Sequence, residues 1–248
     1  MMEMKRFAEL NREQLRELAP TSLAVLPIGA TEQHGPHLAT GMDYFTVESI
    51  ALEAGEIASR EIPVIVAPAL PFGSSHHHLV FGGTLSLSTE TYRRVLYELV
   101  ECLVIDGFKR IFLLNGHGGN QELMQLAVRD IVLTHPVRAA AGSYWNIARQ
   151  DLIDKAAADP SRLPGHAGEF ETSVMLSLRP ELVSKDLPHR DANPVRLPST
   201  YRDERHGFWK DINGHTDSPD LADAARGANY RKVIAEAVAK AWVDYMNS

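Results

Sequence analysis

The chain carries a single cysteine, Cys102, in 248 residues. One thiol excludes an internal disulfide and leaves no set of thiolates for a soft-metal or iron–sulfur site. A reducing, cytoplasmic compartment fits that scarcity. Cys102 lies in the helical-looking stretch Thr91 to Gly107, where packing is its expected role. Long apolar runs are missing too: nothing approaches the ~18 to 20 residues needed to cross a bilayer. Met1 to Leu10, with Glu3, Lys5, Arg6 and Glu9, lacks the apolar centre of an export signal. Positive charge is in short supply, since 25 Lys and Arg against 32 Asp and Glu leave a formal net charge of -7. That balance argues against a nucleic-acid backbone or an anionic membrane as partner, and for a small polar substrate. Internal repeats and low-complexity tracts are also lacking.

What is present reads as an ordinary globular chain, 44% hydrophobic and 23% charged, of a length that fits one domain over residues 1–248. Short apolar runs alternate with longer amphipathic stretches. Leu23 to Ile28, Val64 to Pro68, Arg110 to Leu114 and Val137 to Ala141 are continuous and bounded by Gly or Pro, which predicts buried strands. Phe45 to Ser59, Glu90 to Gly107 and Gln121 to Leu133 have helical spacing, with Ser88 or Thr89 as N-cap and Gly107 closing the second. The alternation predicts an α/β fold of three layers, α/β/α, with a mostly parallel central sheet. Ala222 to Tyr245 is amphipathic and either packs on the sheet or forms an oligomer interface.

Ligands in such folds lie outside the carboxyl ends of the strands, and the polar motifs fall there. After the first run comes Glu32-Gln33-His34-Gly35-Pro36-His37. In extended chain residues i and i+2 share a side, so Glu32 and His34 can present a carboxylate and an imidazole to one metal ion. Ser74 to His78 follows the second run, and Asn115-Gly116-His117-Gly118-Gly119-Asn120 the third. His166-Ala167-Gly168-Glu169-Phe170-Glu171-Thr172 opens a helix predicted through Leu178. The Pro-, Arg- and Asp-rich segment Pro188 to His215 is a candidate lid. Consecutive side chains diverge, so His76, His77 and His78 are read as substrate contacts or loop packing rather than ligands of a shared ion. His37, His135, His189, His206 and His215 are read as surface or helix-end residues, and Trp145 as core at a strand end or a border of the pocket.

Taken in order, Glu32 to His37, Asp43, Asn115 to Asn120 and His166 to Ser173 resemble the signature blocks of the creatininase (creatinine amidohydrolase) family. Gly73 to His78, Phe81 and Gly83 to Leu87 resemble that family's loop after its second strand. The resemblance spans roughly residues 23–183. It implies a three-layer α/β fold, a binuclear metal centre, hydrolysis of C–N bonds in small, often cyclic, amides, and a homohexamer. Carried over by position, it makes Glu32 and His117 ligands of one metal, His34 a ligand of the other and Asp43 the bridge. Carboxylates and imidazoles suit two divalent ions, zinc or manganese, with iron(II) also compatible. The resemblance makes His166 the catalytic acid, aided by Glu171. Ser75 and the backbone of Gly118 and Gly119 are expected substrate contacts.

One position departs from the name-giving enzymes, which have a metal-binding glutamate where this chain has Gly119. Glu169 is the expected replacement, because creatininases have an apolar residue there, with Glu171 the other candidate for the fifth ligand. Family members sharing this Gly-Gly and Glu-x-Glu combination include a formylamino-pyrimidine deformylase, an inosose-derivative hydrolase and a peptide-modifying maturase. The expected activity is therefore hydrolysis of a C–N bond in a small amide or formamide by a metal-bridged hydroxide. The alternatives are cleavage of a ring C–C bond in a keto-sugar or inosose derivative, or creatinine hydrolysis itself.

Overall fold

The computed structural model describes residues 3–190, 193–195 and 203–248. Its centre is a five-stranded sheet of β1 (Lys5–Arg6), β2 (Leu23–Ile28), β3 (Val64–Val66), β4 (Arg110–Asn115) and β5 (Arg138–Ser143). The strands lie in the order β1-β3-β2-β4-β5 and every pairing is parallel. Parallel strands need crossover connections and cover on both faces, and the helices supply both. They are α1 (Arg12–Leu18), α2 (Met42–Ala58), α3 (Thr89–Ile105), α4 (Gln121–Thr134), α5 (Tyr144–Ile147), α6 (Arg149–Lys155), α7 (Glu169–Leu178), α8 (Phe208–Asp211) and α9 (Ala224–Asn247).

The pleat divides the strand residues between two cores. Leu23, Val25, Val64, Val66, Phe112 and Leu114 face one side, where they meet Val47 and Ile50 of α2, Phe170 and Val174 of α7, and Ile234, Val238 and Trp242 of α9. Ala24, Leu26, Ile28, Ile65, Ile111 and Leu113 face the other, against Leu96 and Val100 of α3 and Met124 and Ile131 of α4. The predicted three-layer α/β/α fold is therefore present. The C-terminal amphipathic segment packs as α9 against α2 and α7.

Differences from the sequence reading have local causes. β3 stops at Val66, short of Pro68, which has no N–H to give a ladder. α2 starts at Met42 rather than Phe45, taking Asp43 into its first turn. α3 is capped by Ser88, whose hydroxyl accepts the Thr91 N–H at 3.2 Å. Cys102, expected to pack, is exposed, because α3 buries the stripe Tyr92, Leu96, Val100 and Leu103 and Cys102 falls off it.

The topology also locates a crevice. α2 follows β2 on one face, whereas α4 follows β4 on the other. Neighbouring parallel strands whose connections leave on opposite faces open a cleft at their carboxyl ends.

Candidate metal centre

Two close approaches bring Asp43 to that cleft. A Cβ on Gly29 would lie 2.7 Å from the Tyr44 Cα, and one on Gly116 would lie 2.7 Å from the Val47 Cβ. Glycine at both strand ends lets the first turn of α2 lie directly on the sheet edge. Two buried asparagines fix the loops around it. Asn115 accepts the His117 N–H at 3.0 Å and donates to the His117 carbonyl at 2.7 Å and to the Ser143 hydroxyl at 2.9 Å. Asn120 donates to the Gly29 carbonyl at 3.0 Å and accepts the Ser74 N–H at 3.1 Å.

Glu32, His34, Asp43, His117 and Glu171 converge there, all buried. His117 Nδ1 lies 3.0 Å from Asp43 Oδ2 and 3.3 Å from Glu32 Oε1. His34 Nε2 lies 3.2 Å from Asp43 Oδ1 and 3.7 Å from Glu171 Oε2. The other nitrogen of each ring meets a carbonyl: His34 Nδ1 the Glu32 carbonyl at 3.2 Å, and His117 Nε2 the Ser74 carbonyl at 3.2 Å. A carbonyl only accepts, so those nitrogens carry the hydrogens. In the neutral rings the lone pairs then point at carboxylates. Both Glu32 carboxylate oxygens and Asp43 Oδ2 are buried without a hydrogen-bond partner.

Such an arrangement is costly without a cation. Either the imidazoles are protonated or a metal ion lies between donors and carboxylates. The pKa directions express the first case. Burial lowers His34, but Asp43, Glu171 and Glu32 together outweigh it and lift the ring to about 10. His117 is likewise raised well above its ordinary value, burial being outweighed by Glu32 and Asp43. Burial alone would raise Asp43 and Glu32, yet His34 and His117 hold Asp43 down, and His117 and His78 hold Glu32 down. Glu171 is pushed up to about 8 by burial, with His34 opposing.

The second case fits the donor set. His34, Asp43 and Glu171 form a group whose ligand atoms all lie within 4.8 Å of one another, as do Glu32, His77 and His117, and Glu32, His34 and His166. Buried carboxylates and imidazoles with carbonyl-held second nitrogens are the ligand types and outer contacts of divalent metal sites.

Glu169, two residues before Glu171, does not reach the cluster. Its carboxylate takes the Arg226 guanidinium at 2.7 Å, the Ser173 hydroxyl at 2.9 Å and the Tyr230 hydroxyl at 3.2 Å. Residues two apart on a helix point roughly 200° apart, from the ~3.6 residues per turn, so only one of the pair can face the cleft. Gly119 could not carry a side chain on this backbone, since a Cβ would stand 2.2 Å from the Ser74 carbonyl oxygen.

Glu32, Asp43, His117 and Glu171 of the cluster form one wall of a cavity of about 880 Å³ that Gly118, Gly119, Arg149, Arg162 and His166 also line. His166 is buried, and burial together with the His34 and His78 rings keeps its pKa well below the ordinary value. Ser75, an expected substrate contact, is buried beside the cluster. Its hydroxyl lies 3.1 Å from His117 Nε2, so it supports that ring.

Further histidines stand at the cluster and in the core. His78 is buried with Nε2 3.5 Å from Glu32 Oε1, and His77 stands within ligand distance of Glu32 and His117. They lie in a 3-10 turn, His76–Phe81, where the two rings come within 4.3 Å. Only His76 of the three is exposed; it meets the Ser86 hydroxyl at 2.7 Å. His37 is buried against the Thr172 hydroxyl at 3.0 Å and His215 against the Asp217 carbonyl at 2.9 Å, neither on the surface. Trp145 is buried in the core and also borders the cavity.

Part of the candidate lid, residues 191–192 and 196–202, lies outside the described residues. Beyond them, Trp209 of α8 packs on His77, His78 and His166 with ring centroids 5.6, 4.5 and 5.0 Å away. The run of single aromatics among charges gave no sign of this contact.

The family described as Creatininase, creatinine amidohydrolase, matches residues 8–242. The mycofactocin precursor peptide peptidase of Mycobacterium ulcerans is 32% identical over 241 residues, covering 93% of this chain and 87% of that protein. The 3-dehydro-scyllo-inosose hydrolase of Thermotoga maritima is 31% identical over 189 residues, covering 73% of this chain and 58% of its own. The crystal structure of a creatinine amidohydrolase superposes with a TM-score of 0.77 at 25% identity, covering 95% of each chain. With fold, ordered blocks and family match agreeing along its length, the chain belongs to the creatininase family of hydrolases.

Proposed function

We propose that the chain is a metal-dependent amidohydrolase that cleaves a C–N bond in a small amide, formamide or peptide-terminal amide. Glu32, Asp43 and His117 would hold one divalent ion and His34, Asp43 and Glu171 the second, with Asp43 shared. The observation that carries this reading is the set of buried Glu32 and Asp43 oxygens that have no hydrogen-bond partner while imidazole nitrogens face them. Glu171 takes the place expected of Glu169, because its oxygen lies near His34 whereas Glu169 is held by Arg226. Two divalent ions, zinc or manganese, when bound would lower the pKa of a water toward ~7 and polarise a substrate carbonyl.

The chain's own residues orient and donate. The Glu32 and Ser74 carbonyls hold the metal-facing nitrogens of His34 and His117 toward the cluster. His166, on the cavity wall beside Glu32, is assigned as the group that donates to the leaving nitrogen. Gly118 and Gly119 line the same cavity, and their backbone amides are assigned as substrate contacts. Its volume lies in the range of ligand sites for small molecules, ample for a substrate larger than one ring.

Ring C–C cleavage of a keto-sugar is the second reading, favoured by the likeness to the inosose hydrolase. Assaying zinc- and manganese-loaded protein against formamides, cyclic amides, short peptides and cyclic keto-sugars separates the two. His166→Ala at unchanged metal content is expected to lower turnover ~10²-fold or more, and full turnover would refute the donor assignment. Leu79, Val80 and Leu85 are exposed apolar side chains that a subunit interface would cover, and light scattering tests the expected homohexamer.

A further inference from the structure

Gln33, between the two best-marked ligands, has no role in the scheme above, yet it is buried and its amide is fully engaged. The Gly35 N–H donates to its Oε1 at 2.9 Å, and its Nε2 faces the Gly214 carbonyl at 3.3 Å. An N–H can only meet the oxygen and a carbonyl only the NH₂, so these two backbone groups fix which end is which. The NH₂ has two hydrogens and its two nearest acceptors are imidazoles, His78 Nδ1 at 2.9 Å and His166 Nε2 at 3.1 Å, with the Gly214 carbonyl the longer third contact. An amide nitrogen donates and does not accept. Both ring nitrogens facing it must therefore be bare, and the single hydrogen of each neutral ring must sit on the opposite nitrogen.

Those opposite nitrogens converge. His78 Nε2 is 3.5 Å and His166 Nδ1 3.8 Å from the same Glu32 oxygen, and the two rings stack with centroids 4.4 Å apart at 15°. Glu32 and Gln33, adjacent in sequence, thus bracket a stacked imidazole pair, one from each side. A neutral imidazole that ligates a metal must carry its hydrogen on the other nitrogen. Here the other nitrogen is the one facing the Gln33 NH₂.

We propose that Gln33 is a positioning residue that locks His166 as the Nδ1–H tautomer and His78 as the Nε2–H tautomer, making both N–H donors into the cavity and barring them as metal ligands. His166 lies within ligand distance of Glu32 and His34, so proximity alone would count it as a ligand. The tautomer decides otherwise. The donor role rests on the metal reading above, whereas the tautomers rest on Gln33 alone.

Nitrogen-15 NMR of histidine-labelled protein loaded with cadmium-113 tests both parts, with His78→Gln and His166→Gln assigning the signals. Expected are a pyrrole-like nitrogen at His166 Nδ1 and at His78 Nε2, a pyridine-like nitrogen at each position facing Gln33, and no cadmium coupling to either ring. Gln33→Glu, which replaces the donor by an acceptor, is expected to reverse both tautomers, and Gln33→Met to leave each ring a mixture. A protonated His166 Nε2 or His78 Nδ1 in the parent protein, or cadmium coupling at His166, would overturn the proposal whatever the variants do. Lack of coupling at His34 and His117 would fail the metal reading instead, and the tautomer shifts would still decide this one.

Discussion

Glu169 and Glu171 show how residue-scale reading succeeds and where it stops. The sequence supplied two carboxylates in the first turn of one helix and a glycine where relatives have a ligand, so a replacement glutamate was expected. Which one faces the cleft depends on the rotation of α7, and that is set by a long-range contact, the Arg226 guanidinium on Glu169, that nothing near residue 169 announces. Glu171→Gln is therefore expected to lose one of two bound ions, read by metal analysis, with activity falling ~10²-fold or more. Glu169→Gln should keep both ions and lose stability instead, by about 1 to 3 kcal/mol in chemical denaturation, because the half-buried Arg226 loses its counter-charge and the Ser173 and Tyr230 hydroxyls lose an ionised acceptor. The reverse pattern would return the ligand role to Glu169. Gly119→Glu should not recreate a creatininase-type ligand, since its Cβ meets the Ser74 carbonyl. It is expected to cost at least ~2 kcal/mol, measured by the same denaturation.

At the scale of elements, much was legible. β2 runs over the predicted Leu23–Ile28, and α4 begins at the predicted Gln121, because continuous apolar runs and helical stripes record burial directly. The contributions of His77 and His78 were not legible. Divergence of consecutive side chains holds for regular strands, whereas a 3-10 turn let two rings reach one cluster. His37 and His215 were missed for a related reason: a buried histidine paired to a hydroxyl or carbonyl leaves no periodic trace. Close packing of α2 on the sheet makes an element-scale prediction. Gly116→Ala places a methyl 2.7 Å from Val47 and 3.0 Å from the Asp43 carbonyl, so the start of α2 must shift. Metal affinity is expected to fall more than the ~1 to 3 kcal/mol lost in global stability, read by competition with a chelating dye.

For the whole molecule, the cluster makes folding and pH respond together. Among the described residues no helix is long and apolar enough to cross a membrane, and the buried polar groups gather instead around the cleft. His37 provides the clearest pH term away from the cluster. Burial, reinforced by His215 and His34, pushes its pKa down to about 4, below the unfolded value near ~6.5. The native state keeps the ring neutral while the unfolded chain takes a proton, so this contribution is complete above about pH 6.5 and declines as pH falls toward 4. In chelated protein, His37→Gln should lose less thermal stability between pH 7 and 4.5 than the parent does. An equal loss in both would remove His37 from the account.

The central claim is that Glu32, His34, Asp43, His117 and Glu171 hold divalent metal, with Glu169 outside. A crystal structure of zinc-loaded protein with anomalous difference maps at the zinc edge tests it most directly. The account predicts peaks within the cluster, with a Glu171 oxygen at ~2.0 to 2.2 Å from one of them and Glu169 still paired to Arg226. Peaks ligated by Glu169, or a fully loaded protein with no peak among these five residues, would contradict it.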